Sequence, residues 1–198
     1  MKKKYLNTKR IAVIAIMSAI AALLMVFDFP ISFIAPSFYK MDLSDLPCLI
    51  GSFSMGPIAG IIIELLKVLI KLIIKPTSTA FVGEISNFLG GIALCVPASI
   101  LYKNEHNKKG AIKGLLLGGL IMVIALGILN YSFIIPSYVK LFGMPLEAII
   151  DAGKAIFPII KDKFTFVLIC TMPFNVIKAL IVCLVSFFLY KRISNLIK

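Results

Sequence analysis

The chain has 198 residues, 60% of them hydrophobic, with a mean hydropathy of +1.03. That much apolar surface exceeds what one soluble core of this size can hide, so lipid must act as the solvent. The net charge of +12 comes without an aromatic-interleaved basic patch on a soluble domain, which argues against nucleic-acid binding.

A lysine-rich start, Lys2 to Lys4, leads into an uncharged run from Ile11 to Phe27. It resembles a signal peptide, but no small-x-small cleavage site follows, and it reads as a first spanning helix near 10–27. A short second helix near 44–55 meets a third near 57–75 at Gly56-Pro57, where proline removes a helix donor. Further spans fall near 84–103, 110–135 and 163–190. Residues 145–160 carry apolar side chains at helical spacing beside Glu147, Asp151 and Lys154, the pattern of a surface amphipathic helix or an ordered loop. The reading is an all-α integral membrane protein, a single membrane domain over 1–198 with six transmembrane helices and outer loops at 28–43, 76–83 and 136–162.

Charge orients it. Six spans put both termini on one side, which collects Lys2, Lys3, Lys4, Lys9, Arg10, Lys103, Lys108, Lys109, Lys113, Lys191, Arg192 and Lys198. The opposite side holds Lys40, Lys75, Lys140, Lys154, Lys161 and Lys163, offset by six carboxylates, so the N and C termini are expected in the cytoplasm.

No GxxxxGK[ST], HExxH or GxSxG pattern occurs, and the one histidine, His106, lies in a lysine-rich loop, so enzyme chemistry is not expected. Cys48, Cys95, Cys170 and Cys183 stand singly in apolar segments, without the spacing of a metal site or a disulfide framework. No cofactor is expected.

Ionisable groups at membrane depth are costly and tend to be paired or functional. Glu64, Lys67 and Lys71 stack on one face of the third span, which predicts a structural Glu64–Lys67 ion pair. On the sixth span Asn175, Lys178 and Thr171 share a face, roughly 15–20 Å into the helix, and Lys178 there needs an acceptor that a buried pocket would supply. Asn175 offers both a donor and an acceptor, suited to a flat heterocycle with alternating carbonyl and N–H edges. Glu84 and Asn87 open the fourth span, followed by the close-packing pair Gly90-Gly91, and Asn130-Tyr131 end the fifth. These groups are expected to converge on one outward-opening cavity beside the first loop, with an interfacial anchor as the equal alternative for Asn130-Tyr131.

These residues resemble a known family. Phe38-Tyr39-Lys40-Met41-Asp42-Leu43-Ser44-Asp45-Leu46-Pro47, then Gly56-Pro57, Glu64-Leu65-Leu66-Lys67 and Gly83-Glu84-Ile85-Ser86-Asn87-Phe88 follow in order. Asn130-Tyr131, Ile135-Pro136 and Pro173-Phe174-Asn175-Val176-Ile177-Lys178 complete the set. Over nearly the whole chain this is similar to the S components of energy-coupling-factor (ECF) vitamin transporters, and within them the riboflavin-binding RibU group. The resemblance implies a multi-pass subunit of the bacterial cell membrane that captures riboflavin from outside. It implies delivery through a coupling protein (T component) and two ATPase subunits, consistent with the missing phosphate loop. By the same resemblance Asn175 and Lys178 contact the flavin, with Asn87, Asn130, Tyr131, Glu84, Thr171 and the lid residues Lys40, Asp42 and Leu43 around them. Ala15 and Ala19 are similar to the family's AxxxA docking surface, extended by Ser18 and Ala22. Another vitamin or FMN is the main rival ligand. A self-sufficient secondary transporter would be expected to show internal repeats, which the six unequal spans lack.

Overall fold

The computed structural model describes residues 8–197, with side chains through Tyr190. Of the terminal charges used for orientation, Lys2, Lys3, Lys4 and Lys198 lie outside the described residues, as do the side chains of Lys191 and Arg192.

Seven continuous helices form the described chain: α1 (Thr8–Val26), α2 (Asp45–Met55), α3 (Pro57–Ile74), α4 (Val82–Glu105), α5 (Lys108–Phe142), α6 (Leu146–Lys154) and α7 (163–197). The loop after α1 adds one antiparallel pair of two-residue strands, β1 (Phe29–Pro30) and β2 (Lys40–Met41). Four helices, α1, α4, α5 and α7, are long and apolar enough to cross a membrane. At 1.5 Å per residue, the 11 residues of α2 reach only about 16 Å, roughly half a hydrocarbon core. The 18 residues of α3 are long enough but carry Glu64, Lys67 and Lys71.

Helix α1 packs mainly on α3, and α4 runs along α5. The closest approach in that second pair is made by Gly114 and Gly118, where a Cβ would strike the backbone of Ala98 and Leu94. The pair Gly90-Gly91 also packs tightly, with Gly90 against Leu126 and Gly91 against the Glu64 carboxylate. Small residues let backbones approach closely when lipid supplies no hydrophobic drive between helices.

The expected outer loop 136–162 begins later than its sequence indicated, because α5 does not stop at Ile135-Pro136. A π turn at Asn130–Ile134 precedes Pro136, and a second at Val167–Thr171 precedes Pro173. Each proline lacks an N–H and crowds the carbonyl four residues earlier, which here is Ser132 or Ile169, inside the π turn. Widening the helix at that point relieves the clash, so both helices run on past their prolines. Residues 145–160 do contain a helix, α6, and Asp162 caps α7 through a reciprocal pair of bonds with Thr165. Those bonds hold the exposed Asp162 carboxyl below its usual value.

Two apolar clusters make the core. One fills the bundle around Leu49, Ile63, Leu94 and Met122; the other lies under the loops, around Met41, Phe166 and Phe174. The four cysteines are free, three buried and Cys183 half-buried.

Candidate ligand site

A cavity of about 410 Å³ opens where the two clusters meet, at the end of the bundle where α1 and α3 finish and α4 begins. Its size falls within the roughly 300–1,000 Å³ of small-molecule sites. The apolar wall includes Tyr39, Met122, Leu126, Tyr138 and Phe174. The extra turns of α5 beyond Pro136 contribute Tyr138 and Phe142, two residues that a helix ending at 135 could not supply.

A ladder of alternating charges runs through the buried bundle and reaches the cavity at Lys178 and Asp42. Glu64 pairs with Lys67 at 2.6 Å, the i, i+3 bridge expected on that helix face. Lys67 also meets Asp45 at 2.7 Å, and all three side chains are fully buried. Asp45 continues to Lys178 at 3.0 Å, and Lys178 to Asp42 at 3.5 Å. Asp42 then accepts from Asn87 Nδ2 at 2.9 Å and from the Ser44 backbone N–H at 2.8 Å. The acceptors Lys178 needs are therefore Asp45 at the start of α2 and Asp42 just before it, and Lys178 is also a cavity-lining residue. Asp45 sits in the first turn of α2, where the helix dipole favours a carboxylate.

Around the mouth, Lys71 pairs with Glu84 at 2.6 Å, and Glu84 also accepts from Thr77 and Thr79. Lys75 and Lys40 meet Asp28 at 2.8 and 3.5 Å. Partial burial opposes ionisation of Asp28, but these two lysines outweigh it and hold the carboxyl below its ordinary value. Six charged side chains line the cavity, Asp28, Asp42 and Glu84 against Lys40, Lys71 and Lys178, so their formal charges cancel.

Of the sequence-derived candidates, Lys40, Asp42, Glu84, Asn87, Asn130, Asn175 and Lys178 all line this cavity. Asn175 donates from Nδ2 to the Thr171 carbonyl at 2.9 Å. Asn130 is doubly engaged, donating to the Leu126 carbonyl and accepting from the Tyr39 hydroxyl. Asn87 differs, because its Oδ1 is buried without a hydrogen-bond partner.

Three candidates are not on the cavity wall. Tyr131 is 44% exposed, with Lys163 Nζ 4.0 Å over its ring, the anchor arrangement rather than pocket lining. It follows Asn130 directly, so helical geometry turns it about 100° away. Thr171 is buried against Tyr39, and Leu43 packs between the two apolar clusters. On α1, Ala15 and Ala19 face outward beside exposed Ile11, Ile16 and Leu23. Ser18 and Ala22 do not extend that surface: both are fully buried in the bundle, and the Ser18 hydroxyl bonds to the Ile14 carbonyl.

Sequence reasoning missed Lys71 as a lining group and Asp45 as the partner of Lys178. Balancing charges would have found Asp45, since two intramembrane lysines require carboxylates and Asp42-x-x-Asp45 opens the adjacent helix.

A helical membrane bundle with a charge-balanced cavity open at one end is the architecture of a substrate-binding transport subunit. Residues 9–190 match the family described as "ECF transporter, substrate-specific component". The riboflavin transporter RibU of Staphylococcus aureus (strain TCH60) is 34% identical over 97% of this chain and 94% of its own length. The riboflavin transporter FmnP of Bacillus subtilis (strain 168) is 31% identical over 96% and 94%. A solved structure, described as that of the S component of a bacterial ECF transporter, superposes with a TM-score of 0.73 at 34% identity, covering 96% of this chain and 98% of the other. The chain belongs to the S components of ECF transporters: a multi-pass bacterial membrane protein that binds a substrate and works with the ECF module, not an enzyme.

Proposed function

We propose that this S component binds riboflavin in the 410 Å³ cavity and hands it to a coupling protein and two ATPases for uptake. The buried, unpartnered Oδ1 of Asn87 carries the reading, because a buried acceptor without a donor costs about 1–3 kcal/mol and a ligand N–H removes that cost. Lys178, which meets the same Asp42 Oδ2 as Asn87, lines the cavity with Asn175, so the alternating carbonyl and N–H edge of a flavin meets a donor and an acceptor together. The cancelling charges suit a neutral ring system, and Tyr39 and Phe174 offer aromatic faces. The names of the relatives point to the same ligand.

A phosphorylated flavin is the second reading. Lys40 and Lys75 near the mouth are 44% and 40% exposed on a shared Asp28, leaving cations within reach of a phosphate. In either reading α3 and the short α2, which enters the membrane only part-way, join the four long helices in a six-helix membrane bundle, with the termini in the cytoplasm and the cavity facing outward. The outward face of α1 around Ala15 and Ala19 docks on the coupling protein.

An absorbance spectrum of the detergent-purified protein, followed by titration of the stripped protein with riboflavin and with FMN, tests it. One-to-one quenching of riboflavin fluorescence supports the reading. A colourless protein that quenches neither flavin moves the ligand to another vitamin.

A further inference from the structure

The two π turns meet a single side chain. Asn130 opens the π turn of α5, Thr171 closes that of α7, and Tyr39 from the loop between α1 and α2 reaches both. Its hydroxyl lies 2.7 Å from Asn130 Oδ1 and 2.9 Å from Thr171 Oγ1. The directions of these bonds are fixed. Asn130 Nδ2 already donates to the Leu126 carbonyl, so Oδ1 can only accept and the single Tyr39 proton goes there. Thr171 must then donate to Tyr39, giving one directed chain from α7 through the loop to α5.

π turns occupy well under 1% of residues and gather at functional sites. Two in one short chain, bridged by one hydroxyl at a cavity, have a shared geometric consequence. Each widened turn aims a polar side chain at the same point, and Tyr39 fills it. Among the described residues, Tyr39 supplies the only side-chain hydrogen bonds from residues 31–39 to the helices. Its ring lines the cavity and lies 5.7 Å from Phe174 and 6.2 Å from Phe166.

We infer that Tyr39 is a positioning residue whose hydroxyl clamps the first loop across the two π turns, and that this clamp sets how long a ligand stays in the cavity. The inference rests on the flavin reading only for the ligand used as probe; the clamp itself belongs to the ligand-free protein. Lys40 and Asp42, next along the loop, keep their own partners in Asp28, Asn87 and Lys178, so a released Tyr39 frees the segment before them, including the cavity-lining Phe38 and Tyr39.

The test is Tyr39→Phe, which keeps the ring and removes one oxygen, with Thr171→Val removing one of the two bonds. Stopped-flow fluorescence with riboflavin measures association and dissociation separately. Limited trypsin digestion of the ligand-free protein, read by mass spectrometry, follows cleavage after Lys40. Net loss of one or two hydrogen bonds predicts about three- to tenfold faster dissociation in Tyr39→Phe, with association little changed and Thr171→Val in between. Cleavage after Lys40 is expected to accelerate in the same order. Unchanged dissociation and unchanged cleavage overturn the clamp while leaving the flavin reading intact. Slower association with unchanged dissociation also overturns it, since the hydroxyl would then only shape the empty cavity. If no variant and no wild type binds riboflavin but cleavage after Lys40 still accelerates, the flavin reading falls and the clamp stands.

Discussion

Lys67→Met separates the charges of the ladder in a way that can be measured. Lys67 touches Glu64 at 2.6 Å and Asp45 at 2.7 Å, with all three side chains fully buried. The five charged groups from Glu64 to Asp42 sum to −1, three carboxylates against two lysines, and removing Lys67 takes the sum to −2. Breaking a buried ion pair by deleting one partner costs about 3–5 kcal/mol, because the other charge is left uncompensated. For a chain of this size about 2–4 °C is lost per kcal/mol, so the midpoint of thermal unfolding in detergent should fall by roughly 10 °C. Lys154→Ala is the control: its bridge to Asp151 is at the surface, 46% and 67% exposed, and such pairs contribute at most about 1 kcal/mol. Adding Glu64→Gln to Lys67→Met removes one stranded charge and should recover part of the loss. A Lys67→Met protein that melts with wild type would refute the claim that the ladder depends on its central lysine.

Lys178→Ala should weaken riboflavin binding by on the order of tenfold to a hundredfold, as expected for a lost charged hydrogen bond, read by fluorescence titration. Asn87→Ala removes the unpartnered acceptor and should raise the Kd about tenfold in the same titration; an unchanged Kd would mean that no ligand donor reaches it. Ala15→Leu and Ala19→Leu lie on an outward face, so both should bind riboflavin normally yet co-purify poorly with the coupling protein, and the reverse pattern would sink the docking assignment. The lowered Asp28 carboxyl makes its stabilisation of the loop present above the ordinary Asp value near 4 and lost as pH falls through the depressed value. The Asp28 contribution to protection against cleavage after Lys40 should therefore be present and constant between pH 5 and pH 8.

Membrane residence, helix order and most cavity residues were legible in the sequence because each depends on local composition or spacing. Uncharged runs near 20 residues give spans, and residues three or four apart share a helical face, which is how Glu64 with Lys67 and Asn175 with Lys178 could be paired. Tertiary structure decided what those faces meet. Asp45 reaches Lys178 across more than a hundred residues, and Tyr39 reaches Asn130 and Thr171 from a loop, contacts that no spacing rule encodes. The prolines at 136 and 173 marked a disturbance, but whether it would end each helix or widen it depended on the neighbours available to pack the continuing turns. The same limit applies on α1, where Ala15 and Ser18 are both small and only packing sends one outward and the other into the bundle. Periodicity fixes which residues lie together on a helix, whereas the direction that face points is set by the other helices, which a linear pattern does not contain.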